Sequence, residues 1–173
     1  MNDISIRNGW QAGMVIIVLG SIMHAIDPRF FLNWYGFVGY LVFLFFMVRS
    51  AVQVRKSNGG VLPFASAFVA AFIPMTIGVF FSSVFSYVLH NWINPDLIIL
   101  IKEIAIESTT MAMEKMSEMF DMDMDIDKVL TEMENVDYSF GVGKMVLSWL
   151  LTSIMGCVPA LIIAAITKRG EDY

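Results

Sequence analysis

The chain has 173 residues, of which 57% are hydrophobic and only 16% charged, with a net charge of −5 and a mean hydropathy of +0.69. A soluble domain carries about a quarter charged residues, so this composition excludes a water-solvated globule as well as a disordered chain and a basic nucleic-acid binder. Cys157 is the single cysteine, which excludes an internal disulfide framework.

A helix needs about 20 mostly apolar residues to cross the roughly 30 Å hydrocarbon layer. Stretches without Asp, Glu, Lys or Arg are therefore the informative unit, and four of them are long enough. The first, residues 8–26, reads as a retained span rather than a cleaved leader, because Arg7 alone is a thin basic region and a second span follows at once. Only Asp27, Pro28 and Arg29 separate it from the second charge-free stretch, 30–48, which is expected to span over about 31–49, and this forces a tight helical hairpin. Ser57-Asn58-Gly59-Gly60 is turn chemistry, and Pro63 suits the first turn of the next helix. That helix is expected over about 62–92, with Pro74 removing one backbone hydrogen bond. The fourth span is expected over about 141–167 and contains Pro159.

Between the third and fourth spans lies the one strongly acidic segment. Residues 96–137 hold twelve of the sixteen acids and three lysines, a local charge of −9 that leaves +4 on the rest of the chain. Asn94-Pro95-Asp96 is helix-start chemistry, and Leu97, Ile101, Ile104, Ala105, Ser108, Met111 and Ala112 follow at helical spacing. The segment is expected to form an extracytoplasmic insertion over 95–137: an amphipathic helix to about Phe120 and a short second helix over about 128–136. Its negative charge argues against anionic headgroups and for an apolar face laid on the protein's own bundle, a second copy or another protein.

Arg7, Arg49, Arg55, Lys56, Lys168 and Arg169 fall on one side of the membrane, and Arg29, Lys102, Lys115, Lys128 and Lys144 on the other. Three of the latter are embedded among acids and weigh little, so both termini are expected in the cytoplasm. Trp34 and Trp92 then sit at the outer interface and Trp10 near the inner one. The fold class expected is all-α: an integral four-helix membrane bundle with an acidic helical hairpin outside, between helices three and four.

Asp121, Asp123, Asp125 and Asp127, with Glu132, stand at positions 1, 3, 5, 7 and 12 of a calcium-loop pattern, where alternate oxygens wrap a hard cation. Position 6 is Ile126, where the loop needs glycine, so these five are weak metal candidates and a solvated acidic connector is the plainer reading. Met111, Met113, Met116, Met119, Met122 and Met124 have thioether spacings that suit Cu(I), but methionine is also an adaptable apolar filler. His24 and His90, with Asp27 and Asp96, are the remaining candidates for a metal or proton site.

No Asp, Glu, Lys or Arg lies well inside a span, which disfavours ion-coupled transport, and neither a phosphate-cradling loop nor a nucleophile elbow is present. The expectation is a non-enzymatic protein without a cofactor, an accessory or scaffolding subunit that binds an envelope protein or itself. Two alternatives stand beside it. One is a lipid or small-molecule binder, or transporter component, with a cavity near Ser82, Ser86 and Trp149; the other is an outer-face metal sensor. Gly9-x-x-x-Gly13, Ala67-x-x-x-Ala71, Ser82-x-x-x-Ser86 and Gly156-x-x-x-Ala160-x-x-x-Ala164 are faces on which helices approach closely in lipid.

The pattern Arg55-Lys56-x-x-Gly59-Gly60-x-x-x-Phe64-x-x-Ala67-Phe68, the run Ser82-Ser83-Val84-Phe85-Ser86-Tyr87 and the following Asn94-Pro95-Asp96 resemble a family of small four-pass membrane proteins of the Bacteroidota, a domain of unknown function. The resemblance covers nearly the whole chain. It implies an inner-membrane location and the same four-helix layout, and it assigns no catalytic residue.

Overall fold

The computed structural model describes residues 2–120 and 126–169, with side chains over 3–120 and 128–169. Its elements in order are α1 (Asn2–Ile26), α2 (Pro28–Ser57), α3 (Phe64–Val88) followed by a π turn (Leu89–Ile93), α4 (Leu97–Phe120), α5 (Ile126–Glu134), α6 (Val142–Met155) and α7 (Cys157–Thr167). Among the described residues there is no strand, and four helical stretches are long and apolar enough to cross a membrane: Asp3–Ile26, Pro28–Ser57, Phe64–Ile93 and Val142–Thr167. Two compact units result, one of residues 1–87 and 142–173 and one of residues 88–141.

The first unit is the helical bundle. A single residue joins α1 to α2. Asp27 closes α1 through its N–H to the Met23 carbonyl (3.1 Å) and caps α2 by accepting from the Arg29 N–H (2.8 Å), while Pro28 fills the first helical position. The α2 helix runs on to Ser57, past the charge-free stretch, because Arg49, Arg55 and Lys56 are good helix formers. Gly59 then ends it at φ +68°, a left-handed conformation that lets the Gly60 N–H reach back to the Arg55 carbonyl (2.9 Å).

Small residues on α1 let α3 come close. A Cβ on Gly9 would lie 2.7 Å from Ile77 Cβ, and one on Gly13 would lie 2.6 Å from the Phe81 ring. A Cβ on Gly20 would meet Tyr35 at 2.7 Å and Phe85 at 2.8 Å. Ile77, Phe81 and Phe85 recur every four residues, so one ridge of α3 seats in one glycine groove of α1. The Gly9-x-x-x-Gly13 face is thereby used within the chain. Ala12, Ile16, Phe43, Met47, Met75, Val79 and Ala160 form the buried centre. On the side of α1 turned away from α3, Met14, Val18 and Ile22 are exposed and apolar, as a lipid-solvated helix requires.

Both prolines leave a signature in hydrogen bonding. Pro74 has no N–H for the Ala70 carbonyl, and α3 nonetheless continues through it because Ser50 Oγ of α2 donates to that carbonyl at 2.6 Å. The Ser50 hydroxyl has one proton, which the carbonyl takes; the 3.1 Å contact between Ser50 Oγ and Ser5 Oγ is then made with the Ser5 proton. In the fourth span the helix is interrupted at Gly156, within the turn whose carbonyls precede Pro159, and a Cβ on Gly156 would collide with Met75 Sδ. Past α7, the Arg169 N–H donates to the Leu62 carbonyl and the Leu62 N–H to the Arg169 carbonyl, both at 2.9 Å.

The second unit carries the acidic segment. The π turn follows α3, and in it the Asn94 N–H donates to the Leu89 carbonyl (2.8 Å). The α4 helix starts at Leu97, with the Leu97 N–H on the Asn94 carbonyl (3.2 Å). Within this unit Lys102 Nζ donates to the Glu134 carbonyl at the end of α5 (3.0 Å), and Asn91 Nδ2 to the Phe140 carbonyl (2.8 Å). Neither α4 nor α5 is among the helices apolar enough to cross a membrane.

Candidate functional site

Three places concentrate chemistry. The first is a polar cluster in the bundle, where Asn8 Nδ2 of α1 donates to the Ile4 carbonyl (2.8 Å) and to Gln53 Oε1 of α2 (2.9 Å), beside the Ser5–Ser50 pair. Ser5, Asn8 and Ser50 are fully buried. In lipid such groups must find partners within the protein, so these bonds fix the register of α1, α2 and α3. A related contact joins Tyr35 Oη and Ser82 Oγ (2.9 Å).

The second is a groove of about 440 Å³ lined by Trp10 of α1, Thr76, Ile77, Phe80 and Phe81 of α3, and Trp149 of α6. Trp149 Nε1 donates to the Thr76 carbonyl (3.0 Å), and Thr76 Oγ1 donates to the Phe72 carbonyl (3.2 Å). Trp10 and Phe81 lie with ring centroids 4.6 Å apart, and Phe80 stands edge-on to Trp149 at 5.9 Å. The sequence expectation is a cavity near Ser82, Ser86 and Trp149. The neighbours of Trp149 are instead aromatic, since Ser82 turns to Tyr35, and the groove is apolar.

The third is the exposed side of α4. Ile101, Ile104 and Ala105 are half-buried as the spacing predicts, whereas Ser108, Met111 and Ala112 are exposed, because the half-buried row drifts to Thr109, Met113 and Ser117. The side left open carries Met111, Met116, Met119 and Phe120, the last two 72% and 61% exposed. Glu107, Glu114 and Glu118 form the adjoining exposed row.

The metal candidates divide. Asp121, Asp123 and Asp125 lie outside the described residues, as does the side chain of Asp127; Glu132 is exposed on α5. Among the described residues no group of three or more His, Cys, Asp or Glu stands close enough to hold a metal ion. His24 and His90 belong to different units: His24 stands edge-on to Phe31 (5.7 Å) and His90 near Phe140 (5.5 Å).

No sequence pattern groups Trp10, Phe80 and Phe81, or Ser5, Ser50 and Gln53. The one usable signal is Pro74, which marks the Ala70 carbonyl as needing an outside donor; which hydroxyl supplies it depends on the register between helices.

An all-helical bundle with four membrane-capable helices defines an integral membrane protein whose surroundings are a lipid bilayer. Within that class, the chain belongs to the family described as "Protein of unknown function (DUF4199)", whose match covers residues 9–169. No curated protein matches the chain, and no solved structure matches it.

Proposed function

We propose that the protein is a non-enzymatic accessory or scaffolding subunit of a bacterial inner membrane, with both termini cytoplasmic and the α4–α5 segment in the extracytoplasmic space. The observation that carries this reading is the open side of α4, where Met111, Met116, Met119 and Phe120 lie beside a row of carboxylates. Methionine faces adapt to varied partners, and Glu107, Glu114 and Glu118 along one flank outnumber the exposed Lys115 of the same face, which favours a cationic partner. The occupant is a basic amphipathic segment of another envelope protein. A second copy is disfavoured, since it brings its own −9 segment to the same contact. The lack of charged residues well inside the spans supports a binding role over ion-coupled transport.

The test is co-purification in mild detergent, with mass spectrometry of retained proteins at two salt concentrations. A partner bearing a basic amphipathic segment is expected, retained at low salt and lost both at high salt and from Glu114→Gln/Glu118→Gln. A partner that survives the substitution, the salt and removal of residues 97–137 refutes the reading.

A further inference from the structure

We infer that the groove of α1, α3 and α6 seats one acyl chain of an anionic phospholipid whose phosphate is met by Arg7. Three observations converge on that occupant. The groove lies wholly on membrane-spanning stretches, within Asp3–Ile26, Phe64–Ile93 and Val142–Thr167, so hydrocarbon is the medium that fills it. Its two donors are spent internally, the Trp149 N–H on the Thr76 carbonyl and the Thr76 hydroxyl on the Phe72 carbonyl, so a phosphate or carboxylate finds no donor from these groups within the groove. Its rim is bulky. Trp10, Phe80 and Trp149 hold any approaching backbone away, whereas helix association in lipid needs small residues at the contact. A slim flexible chain fits where a partner helix does not.

Charge supplies the other half. Arg7 is exposed and precedes Trp10 by three residues, on the same side of α1 and about 4.5 Å nearer the helix start. A lipid whose chain runs along the groove from Trp10 toward Phe81 therefore leaves its phosphodiester at the guanidinium, which is suited to bidentate phosphate contact. Trp10 then sits at the depth where indole rings favour the interface. The site is independent of the α4 face, and its test does not depend on a protein partner.

The four tryptophans provide the measurement. Phosphatidylglycerol with brominated acyl chains quenches indole fluorescence on contact and is titrated into the full chain in detergent micelles. A Trp34→Phe/Trp92→Phe variant reports from Trp10 and Trp149, and a Trp10→Phe/Trp149→Phe variant reports from Trp34 and Trp92, which do not line the groove. The expected result is quenching of the groove pair that saturates and is competed by unbrominated lipid, while quenching of the other pair rises in proportion to micellar lipid. Thr76→Phe fills the groove floor and removes the saturable component. Phe80→Ala opens a wall and weakens half-saturation about tenfold, and Arg7→Gln weakens it about fivefold. Proportional quenching in both reporters overturns the proposal. So does a saturable component unchanged in both Phe80→Ala and Arg7→Gln, which decide the matter even where Thr76→Phe fails to fold.

Discussion

The Ser50–Ala70 bond makes a sharp prediction because its purpose is set by a different residue. Removing the hydroxyl in Ser50→Ala leaves the Ala70 carbonyl buried in the bundle with neither its helical donor, which Pro74 lacks, nor its substitute at 2.6 Å. A hydrogen bond between membrane helices averages about 0.6 kcal/mol and reaches about 1.7 kcal/mol, and an orphaned acceptor belongs at the upper end of that range. Ser50→Ala is therefore expected to cost about 1.5 kcal/mol. In a Pro74→Ala background, residue 74 regains an N–H, the Ala70 carbonyl is satisfied within α3, and the same change is expected to cost under about 0.5 kcal/mol. The coupling of about 1 kcal/mol is the quantity of interest, and a double-mutant cycle isolates it. Far-UV circular dichroism during titration of mixed micelles with denaturing detergent reads the four unfolding free energies. Equal cost of Ser50→Ala in the two backgrounds refutes the reasoning, since the hydroxyl would then serve only its contact with Ser5.

Other expectations follow from close approaches, backbone conformation and charge. Gly13→Ala places a Cβ 2.6 Å from Phe81 and is expected to destabilise the bundle by about 1–3 kcal/mol in the same titration. Gly36→Ala meets nothing within 4 Å and is expected to be neutral or slightly stabilising, and equal effects would deny the α1–α3 seat. Gly59→Val forces a branched residue to φ +68° and is expected to lower stability by about 1–2 kcal/mol, measured by thermal unfolding in detergent. Calcium titration of the whole chain is expected to give no saturable shift in that unfolding, because Ile126 stands where the loop needs glycine; a saturable stabilisation lost in Asp121→Asn/Asp123→Asn would restore the metal reading.

The spans are legible in the sequence because charge is expensive in lipid and its absence is easily counted. Their ends are less so. The α2 helix outruns its charge-free stretch by nine residues, from Val48 to Ser57, because long cationic side chains carry their heads to water while the backbone stays helical. Glycine spacing announces close contact without naming the partner, and only the structure matches Gly9 and Gly13 to Ile77 and Phe81. The π turn after Val88 has no local signature, because it arises from one carbonyl at Leu89 being taken by Asn94 rather than Ile93. The groove is hidden for a related reason: Trp10, Phe80 and Trp149 come from three separate spans, and their convergence depends on helix order and rotation.

The paired backbone bonds between Leu62 and Arg169 bear on how the protein is made. Ribosomes deliver Leu62 long before Arg169, so for most of synthesis the entrance to α3 waits without its counterpart. The first three helices can gather early, but the latch that ties the mouth of the bundle shuts only when α7 arrives. A nascent chain arrested before that point leaves the N–H and the carbonyl of Leu62 without the partners that Arg169 brings.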